Sequence, residues 1–304
     1  MDGFIVIDKP AGLTSHDVVA RVRRTLRQKK AGHTGTLDPF ATGVLPVAVG
    51  EGTKAIPYLD ESTKVYRATL MLGAATDTQD HTGQVVHAGD WQHLEPQTVR
   101  DVISSFTGKL SQLPPMFSAL KRDGVPLYKL ARTGREVERE PREIEIFSLV
   151  IDAIDLPLVT FTLSCSRGTY VRTLAHDMGE RLGCGAHLTE LRRLSSGLFD
   201  LDRAISLERL SALAEADSLA DVLMSPSEAL GHLQALPLTA QGAERVRRGI
   251  TPGCEDVEHG AGTGVPAGTR LRLQRDGIVV AVAVALTGLW ANDTKNLRLL
   301  RVFN

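Results

Sequence analysis

The run GIVVAVAVAL, Gly277–Leu286, is the longest uninterrupted apolar stretch of the chain. A membrane-crossing helix needs about 20 such residues, so this run is far too short to span and reads instead as a strand buried in a sheet. TRLRLQRDG immediately before it alternates apolar and polar positions, which predicts a hairpin turning at Asp276–Gly277. No membrane partner is expected.

Length and composition set the frame around that strand. At 304 residues the chain exceeds one average domain and falls short of three. With 42% hydrophobic and 23% charged residues it is an ordinary globular composition, which excludes disordered and fibrous classes. A formal net charge of -1 argues against a nucleic-acid binder that is basic over its whole surface, and leaves one whose cations cluster. Cys165, Cys184 and Cys254 form no CxxC pair, so neither a disulfide framework nor a zinc site is indicated. MDGFIVIDKP has an acid and only a short apolar run, unlike a signal peptide, and a cytoplasmic protein is expected.

FIVIDKP reads as a strand halted by Pro10, and Thr14 or Ser15 offers an N-cap for a basic helix through SHDVVARVRRTLRQKK. VYRATLMLG alternates like a half-buried strand, with a turn at Asp80–Gly83. EPQTVRDVISSFTG carries a helical pattern opened by Pro96. The Pro-, Gly- and Arg-rich segment of about residues 109–143 looks like a mobile insertion, a candidate clamp. LVTFTLSCS then reads as a strand, with a turn at Arg167–Gly168 and a helix from about Val171 to Gly183. A change of character near Leu233 divides the chain into residues 1–232 and a small β-rich unit, 233–304.

One loop concentrates chemistry. In GHTGTLDPFATGVLPVAVG, Asp38 precedes Pro39, which favours extended backbone, and Gly32, Gly35 and Gly43 permit tight turns or close approach. Thr34, Thr36 and Thr42 add hydroxyls and His33 a flat polar ring. An ionised aspartate in such a loop suits nucleophilic or acid–base work, although an Asx turn accounts for the same residues. GEGTK at Gly50–Lys54 reverses the Lys-Thr order of a phosphate-binding loop, and His33, Asp38, His81 and His87 lack metal-ligand spacing.

Taken with VIDKPAGLTSHDVV upstream, GHTGTLDPFATGVLPVAVGEGTK closely resembles the TruB family of tRNA pseudouridine synthases, which convert uridine 55 of the T-loop to pseudouridine. KVYRATLMLGAATDTQDHTG, PPMFSALKRDGVPLYKLARTGRE and CSRGTYVRTLAHDMGERLGCGAHLTELRRL resemble successive blocks of the same family, in order. The resemblance implies an α/β (α+β) fold: a catalytic domain on a mixed, largely antiparallel sheet, followed by a PUA-like RNA-binding domain. It implies that Asp38 is the catalytic aspartate, that Tyr66 packs on the target base, that Arg172 pairs with Asp38 and that Leu191 lines the pocket. His33 would fill the space left by the displaced nucleotide, while Lys9 and Pro10 would shape or flank the active-site loop and Asp80 would join its polar network. Phe117 stands where the family often has tyrosine.

Those assignments have a physical basis. Pseudouridylation breaks the ribose–N1 bond, turns the base and rebuilds the bond at C5 with no net redox change, so no cofactor is expected. The base must leave its stack, at about a few kcal/mol, which favours an apolar or aromatic cage. A paired guanidinium keeps a carboxylate ionised in a partly dry pocket. Considered singly, Tyr66 and Leu191 are also good core residues, Arg172 a surface ion pair and His33 a loop hydrogen-bonder. Lys121, Arg122, Lys129, Arg132 and Arg135 of the clamp, the first helix and RVRRG at Arg245–Gly249 are candidate phosphate contacts. The expected partner is the T-arm of tRNA, with no obligate protein partner and a monomeric chain. Two alternatives are a guide-RNA-directed synthase and a non-catalytic tRNA-binding or folding factor. Asp38 attacking the anomeric carbon, adding to the ring or abstracting a sugar proton toward a glycal are equally compatible with these residues.

Overall fold

A computed structural model describes residues 1–122, 124–262, 264–289 and 296–304. The first half of the chain builds strands β1 (Gly3–Lys9), β2 (Ala31–His33), β3 (Thr42–Val49), β4 (Thr63–Leu72), β5 (Ala74–Thr76), β6 (Val85–Ala88), β7 (Gly108–Gln112), β8 (Lys121–Arg122) and β9 (Val125–Pro126). Among them lie helices α1 (Ser15–Thr25), α2 (Gly52–Ala55), α3 (Pro96–Ser104) and α4 (Leu127–Ala131). The second half adds β10 (Arg142–Asp155), β11 (Leu158–Ser166), α5 (Val171–Leu182), β12 (Ala186–Ser196), β13 (Phe199–Asp200), α6 (Leu207–Glu215) and α7 (Pro226–Ala229). The chain finishes with β14 (Gln234–Pro237), α8 (Ala240–Arg247), β15 (Arg270–Arg275), β16 (Ile278–Ala285) and β17 (Leu297–Val302).

The large sheet runs β1-β3-β12-β4-β11-β10-β7, with β2 on β3 and β13 on β12. Its described pairs are antiparallel except β3 with β12, as a mixed, largely antiparallel sheet requires. Alternation explains the layering. Val159, Phe161, Leu163 and Cys165 of β11 and Tyr66, Ala68, Leu70 and Leu72 of β4 point into one core. Val18, Val19 and Val22 of α1, Val99 and Ile103 of α3, Leu174 and Met178 of α5 and Leu210 of α6 fill that core from the other side.

Local rules set the ends of the helices that matter for the site. Thr14 makes a capping box with Asp17: its hydroxyl accepts from Asp17 N at 3.1 Å and its own N–H donates to Asp17 Oδ2 at 2.9 Å. The basic helix is shorter than the sequence suggests, because Arg27 turns to φ 48° after the cap at Leu26. Gly183 ends α5 with φ 78°.

The segment read from sequence as one glycine-rich loop is mostly sheet. Only 34–41 is loop; β2 precedes it and TGVLPVAV forms β3, between β1 and β12. Proline obscures this strand in sequence, since it cannot donate to a ladder. Pro46 is tolerated because β2 ends at His33, and its carbonyl accepts from Thr34 N at 3.1 Å. TELRRLSS is likewise a strand, β12, which pairs with β4 for most of its length.

The smaller sheet, β14-β15-β16-β17, opens on a parallel pair and continues antiparallel. Asp276 (φ 50°) and Gly277 (φ 77°) make the expected hairpin turn. The middle of GIVVAVAVAL is apolar because β16 is covered on both faces there, while Ile278 and Leu286 at the ends of the run are exposed. Ala281, Ala283 and Ala285 join a core with Ala243 and Val246 of α8, while Val279 and Val282 pack with Phe4, Val44, Phe199 and Phe303. Among the described residues no helix is long and apolar enough to cross a membrane.

Candidate active site

A cavity of about 510 Å³ opens where the 34–41 loop, the start of α1, the turn after β5 and the 113–141 excursion meet. Asp38, Asp80, Phe117, Arg132 and Arg172 line it together, although they come from four separate stretches of sequence.

The loop carrying Asp38 is pinned from three sides. Ser15, at the start of α1, accepts from Leu37 N at 2.8 Å and donates to Leu37 O at 3.1 Å. Lys9, fully buried at the end of β1, donates to Pro10 O (2.9 Å), Leu13 O (2.7 Å) and Pro39 O (3.1 Å). Arg193 of β12, also fully buried, donates from Nε to Val44 O at 2.7 Å and from Nη2 to Gly35 O at 3.1 Å. The acceptors of both cations are backbone carbonyls, so each is satisfied by hydrogen bonds to the backbone, and each ties the loop itself, Lys9 at Pro39 O and Arg193 at Gly35 O.

Arg172, in the first turn of α5, has all its donors engaged. Nε lies 2.8 Å from Asp38 Oδ2 and Nη2 3.1 Å from Asp38 Oδ1, a two-point grip. Nη1 donates to Thr78 O at 2.8 Å and lies 3.5 Å from Asp80 Oδ2, while Nη2 also donates to Phe117 O at 2.7 Å. Asp80 is itself held by Thr78 Oγ1 at 2.8 Å and Thr82 N at 2.9 Å. The guanidinium side chain is 4% exposed and the Asp38 side chain 31%, so the acid is far more open to a ligand in the cavity than its partner.

Burial pushes the Asp38 carboxyl above the ordinary carboxylate range; Arg172 and Lys9 oppose that shift and Asp80 adds to it. Lys9 is brought down to about 8, chiefly by burial, with the Asp38 charge pulling the other way. Burial raises the Tyr66 phenol, and the charge of Arg193 opposes it. His33 falls to about 4 through burial, with further repulsion from His16 and Arg193. Among the described residues no cluster of three or more His, Cys, Asp or Glu side chains is placed to hold a metal.

The remaining residues singled out from sequence sit around this centre in different ways. Tyr66 and Leu191 are 7% exposed and share an apolar cluster with Leu37; neither lines the cavity wall. Lys9 lies under the loop, and His33 meets the ring of His16 edge-on with centroids 5.2 Å apart, His16 being the one of the two on the cavity. Arg132 stands over the Tyr128 ring at 5.5 Å. Lys121 is apart from the others, on the β8–β9 hairpin beside a second cavity of about 470 Å³ rich in Arg and Glu. Phe117 contributes its ring to the cavity and its carbonyl to Arg172, so a missing phenol hydroxyl leaves that hydrogen bond intact.

Sequence reading passed over Arg193, Thr78 and Gln112. The doubled arginine of ELRRL was a usable signal for Arg193: successive strand residues face opposite ways, and Arg192 goes to Asp8 (2.8 and 3.0 Å) on the half-exposed face while Arg193 goes inward. Thr78 acts through its backbone carbonyl, which leaves no trace in residue type.

Comparison with known proteins gives the site its context. The family model described as TruB family pseudouridylate synthase (N terminal domain) matches residues 23–171, and the tRNA pseudouridylate synthase B C-terminal domain matches 172–230. The boundary between the two falls at Arg172, so the Asp38–Arg172 grip joins them. The chain is 90% identical to a tRNA pseudouridine synthase B of Geobacter sulfurreducens over 100% of both chains. It is 57% identical to one of Geotalea uraniireducens over 100% of this chain and 98% of the other. A solved Cbf5-Nop10-Gar1 complex contains a chain of similar fold, with TM-score 0.74 and 27% identity over 99% of this chain and 85% of that one. Two adjoining family models covering most of the sequence and full-length relatives of this identity place the chain in the TruB family of pseudouridylate synthases.

Proposed function

We propose that this protein isomerises uridine 55 in the T-loop of tRNA to pseudouridine, with Asp38 as the reacting carboxylate. The observation that carries this reading is a carboxylate open to a cavity of about 510 Å³ while a buried guanidinium holds both its oxygens. An isomerisation that detaches, turns and reattaches one base needs a single placed carboxylate and a site that retains the free base; it needs no redox partner or added atom. The relatives named tRNA pseudouridine synthase B support the substrate, and the family resemblance of the 32–54 segment supports the position.

In this reading the flipped uridine enters between Asp38 and the Phe117 side of the cavity, with Tyr66 and Leu191 stiffening the wall behind the reacting acid. His33 stays neutral at physiological pH and fills the space left by the displaced nucleotide without adding charge. Arg132 and Lys121 contact phosphates, and the β-rich unit of 233–304 extends the grip on the T-arm as a PUA-like domain. The protein acts in the cytoplasm as a monomer on free tRNA, with no guide RNA, obligate protein partner or cofactor.

The decisive experiment incubates the purified protein with an unmodified tRNA transcript and maps pseudouridine, with Asp38→Asn in parallel. A single modified site at position 55, lost in Asp38→Asn, is the expected result. Activity surviving in Asp38→Asn would overturn the assignment of the acid, and activity that required a guide RNA would favour the guided form.

A further inference from the structure

Gln112 closes β7 at the root of the 113–141 excursion and is 3% exposed. Its carboxamide engages one residue twice: Oε1 accepts from Tyr170 N at 2.8 Å and Nε2 donates to Tyr170 O at 3.0 Å. Tyr170 is the N-cap of α5 and makes no side-chain cap of its own. The entry to α5 is therefore tied down by a side chain 58 positions earlier, in the way a neighbouring strand would tie it. Arg172 lies two residues further on, in the first turn. Five residues past Gln112, the Phe117 carbonyl accepts from Arg172 Nη2, the same nitrogen that holds Asp38 Oδ1.

Two contacts from one short segment thus converge on the turn that carries the guanidinium. A residue that only capped a helix would have no reason to be paired with a second contact on the side chain gripping the reacting acid. We infer that Gln112 is a positioning residue for the Asp38–Arg172 pair, and that the excursion over the cavity sets the geometry of that pair through Gln112 and the Phe117 carbonyl. This rests on the reading of the protein as a pseudouridine synthase.

The groups facing Asp38 give the inference a distinctive readout. They are Arg172 from α5, Asp80 from the turn after β5 and Lys9 from β1. A slackened Arg172 leaves burial and Asp80 pushing the carboxyl up with less to oppose them, which moves the acid limb of a pH–rate profile upward.

The test compares wild type with Gln112→Met, which keeps the volume and loses both hydrogen bonds, and Gln112→Glu, which keeps an acceptor for Tyr170 N and loses the donor to Tyr170 O. With tRNA transcript at saturation, single-turnover rates in Gln112→Met should fall at least about tenfold, tRNA Kd should stay within about threefold, and the acid limb should rise. Gln112→Glu should fall in between. Wild-type rate and acid limb in folded Gln112→Met would overturn the inference, as would a loss confined to tRNA affinity. Failure of both variants to fold would make Gln112 a structural residue and overturn it too. A wild-type protein inactive on tRNA would instead sink the proposed function, so the two failures are distinguishable.

Discussion

Arg172 grips Asp38 through two nitrogens, Nε to Oδ2 at 2.8 Å and Nη2 to Oδ1 at 3.1 Å, and the same guanidinium also serves Thr78 O, Phe117 O and Asp80. Arg172→Lys places one ammonium where five donors were used, and no single Nζ reaches all those acceptors. Pseudouridine formation in a single-turnover assay should drop by about 10²-fold or more with tRNA affinity little changed. Arg172→Met, which leaves the buried Asp80 and the partly exposed Asp38 without their shared cation, should destabilise the fold by about 3–5 kcal/mol in denaturant melts.

In the proposed function Asp38 works as a carboxylate, and its carboxyl is pushed up by burial despite Arg172. The rate should therefore fall on acidification at a pH above the ordinary aspartate value of 3.8. The stability term has the opposite sign to that of an ordinary paired aspartate: a raised folded-state value favours the protonated folded protein, so this term weakens as pH rises through it. A pH–rate profile whose acid limb sits at or below 3.8 would contradict the burial argument.

His33 titrates at about 4 in the folded chain, chiefly because it is buried, against 6.5 for the free side chain. A folded value below the unfolded one gives stability that is fully present above about 6.5 and is lost as pH falls toward 4. Urea melts between those limits should show a slope that flattens in His33→Asn.

Gly43 has φ 99°, and a Cβ there would stand 2.2 Å from the Arg193 carbonyl oxygen. Gly43→Ala should lower stability by roughly 1–3 kcal/mol through backbone strain and overpacking. It should also disturb the loop that Arg193 holds at Gly35, so the denaturation midpoint and single-turnover rate should fall together.

Arg132 and Lys121 are assigned to phosphates. If each neutralises one, Lys121→Ala and Arg132→Ala should each reduce the slope of log Kd for tRNA against log salt by about 0.7. A weaker affinity with an unchanged slope would mean that the residue does not meet a phosphate.

Elements with one dominant local signal were legible in the sequence. The Thr14 cap of α1, the Asp276–Gly277 hairpin, Pro96 opening α3 and the αL Gly183 after α5 each follow from the preferences of a few neighbouring residues. β3 was hidden because Pro46 is a poor strand residue unless the neighbouring strand has already stopped, and that is a fact about β2, not about the TGVLPVAV segment. At the site, Asp38 and Arg172 were readable as a pair only through the family resemblance, since nothing local relates residues 134 positions apart. Gln112 and Thr78 stayed invisible because they act on or through backbone groups, which every residue type possesses.

The cluster that Val279, Val282 and Phe303 share with Phe4, Val44 and Phe199 has a mechanical meaning. Lys54 donates to Val302 O at 3.0 Å and Asn304 N to Glu51 Oε2 at 3.1 Å across the same seam, so swinging the small sheet away would wet a continuous apolar face and break these ties. β1, which ends at Lys9 beneath the reactive loop, is thus also part of the mount for the distant sheet. If the proposed function holds and an RNA touches both regions, it would meet a calliper with a set jaw width, and its own arm length would decide which nucleotide arrives at Asp38.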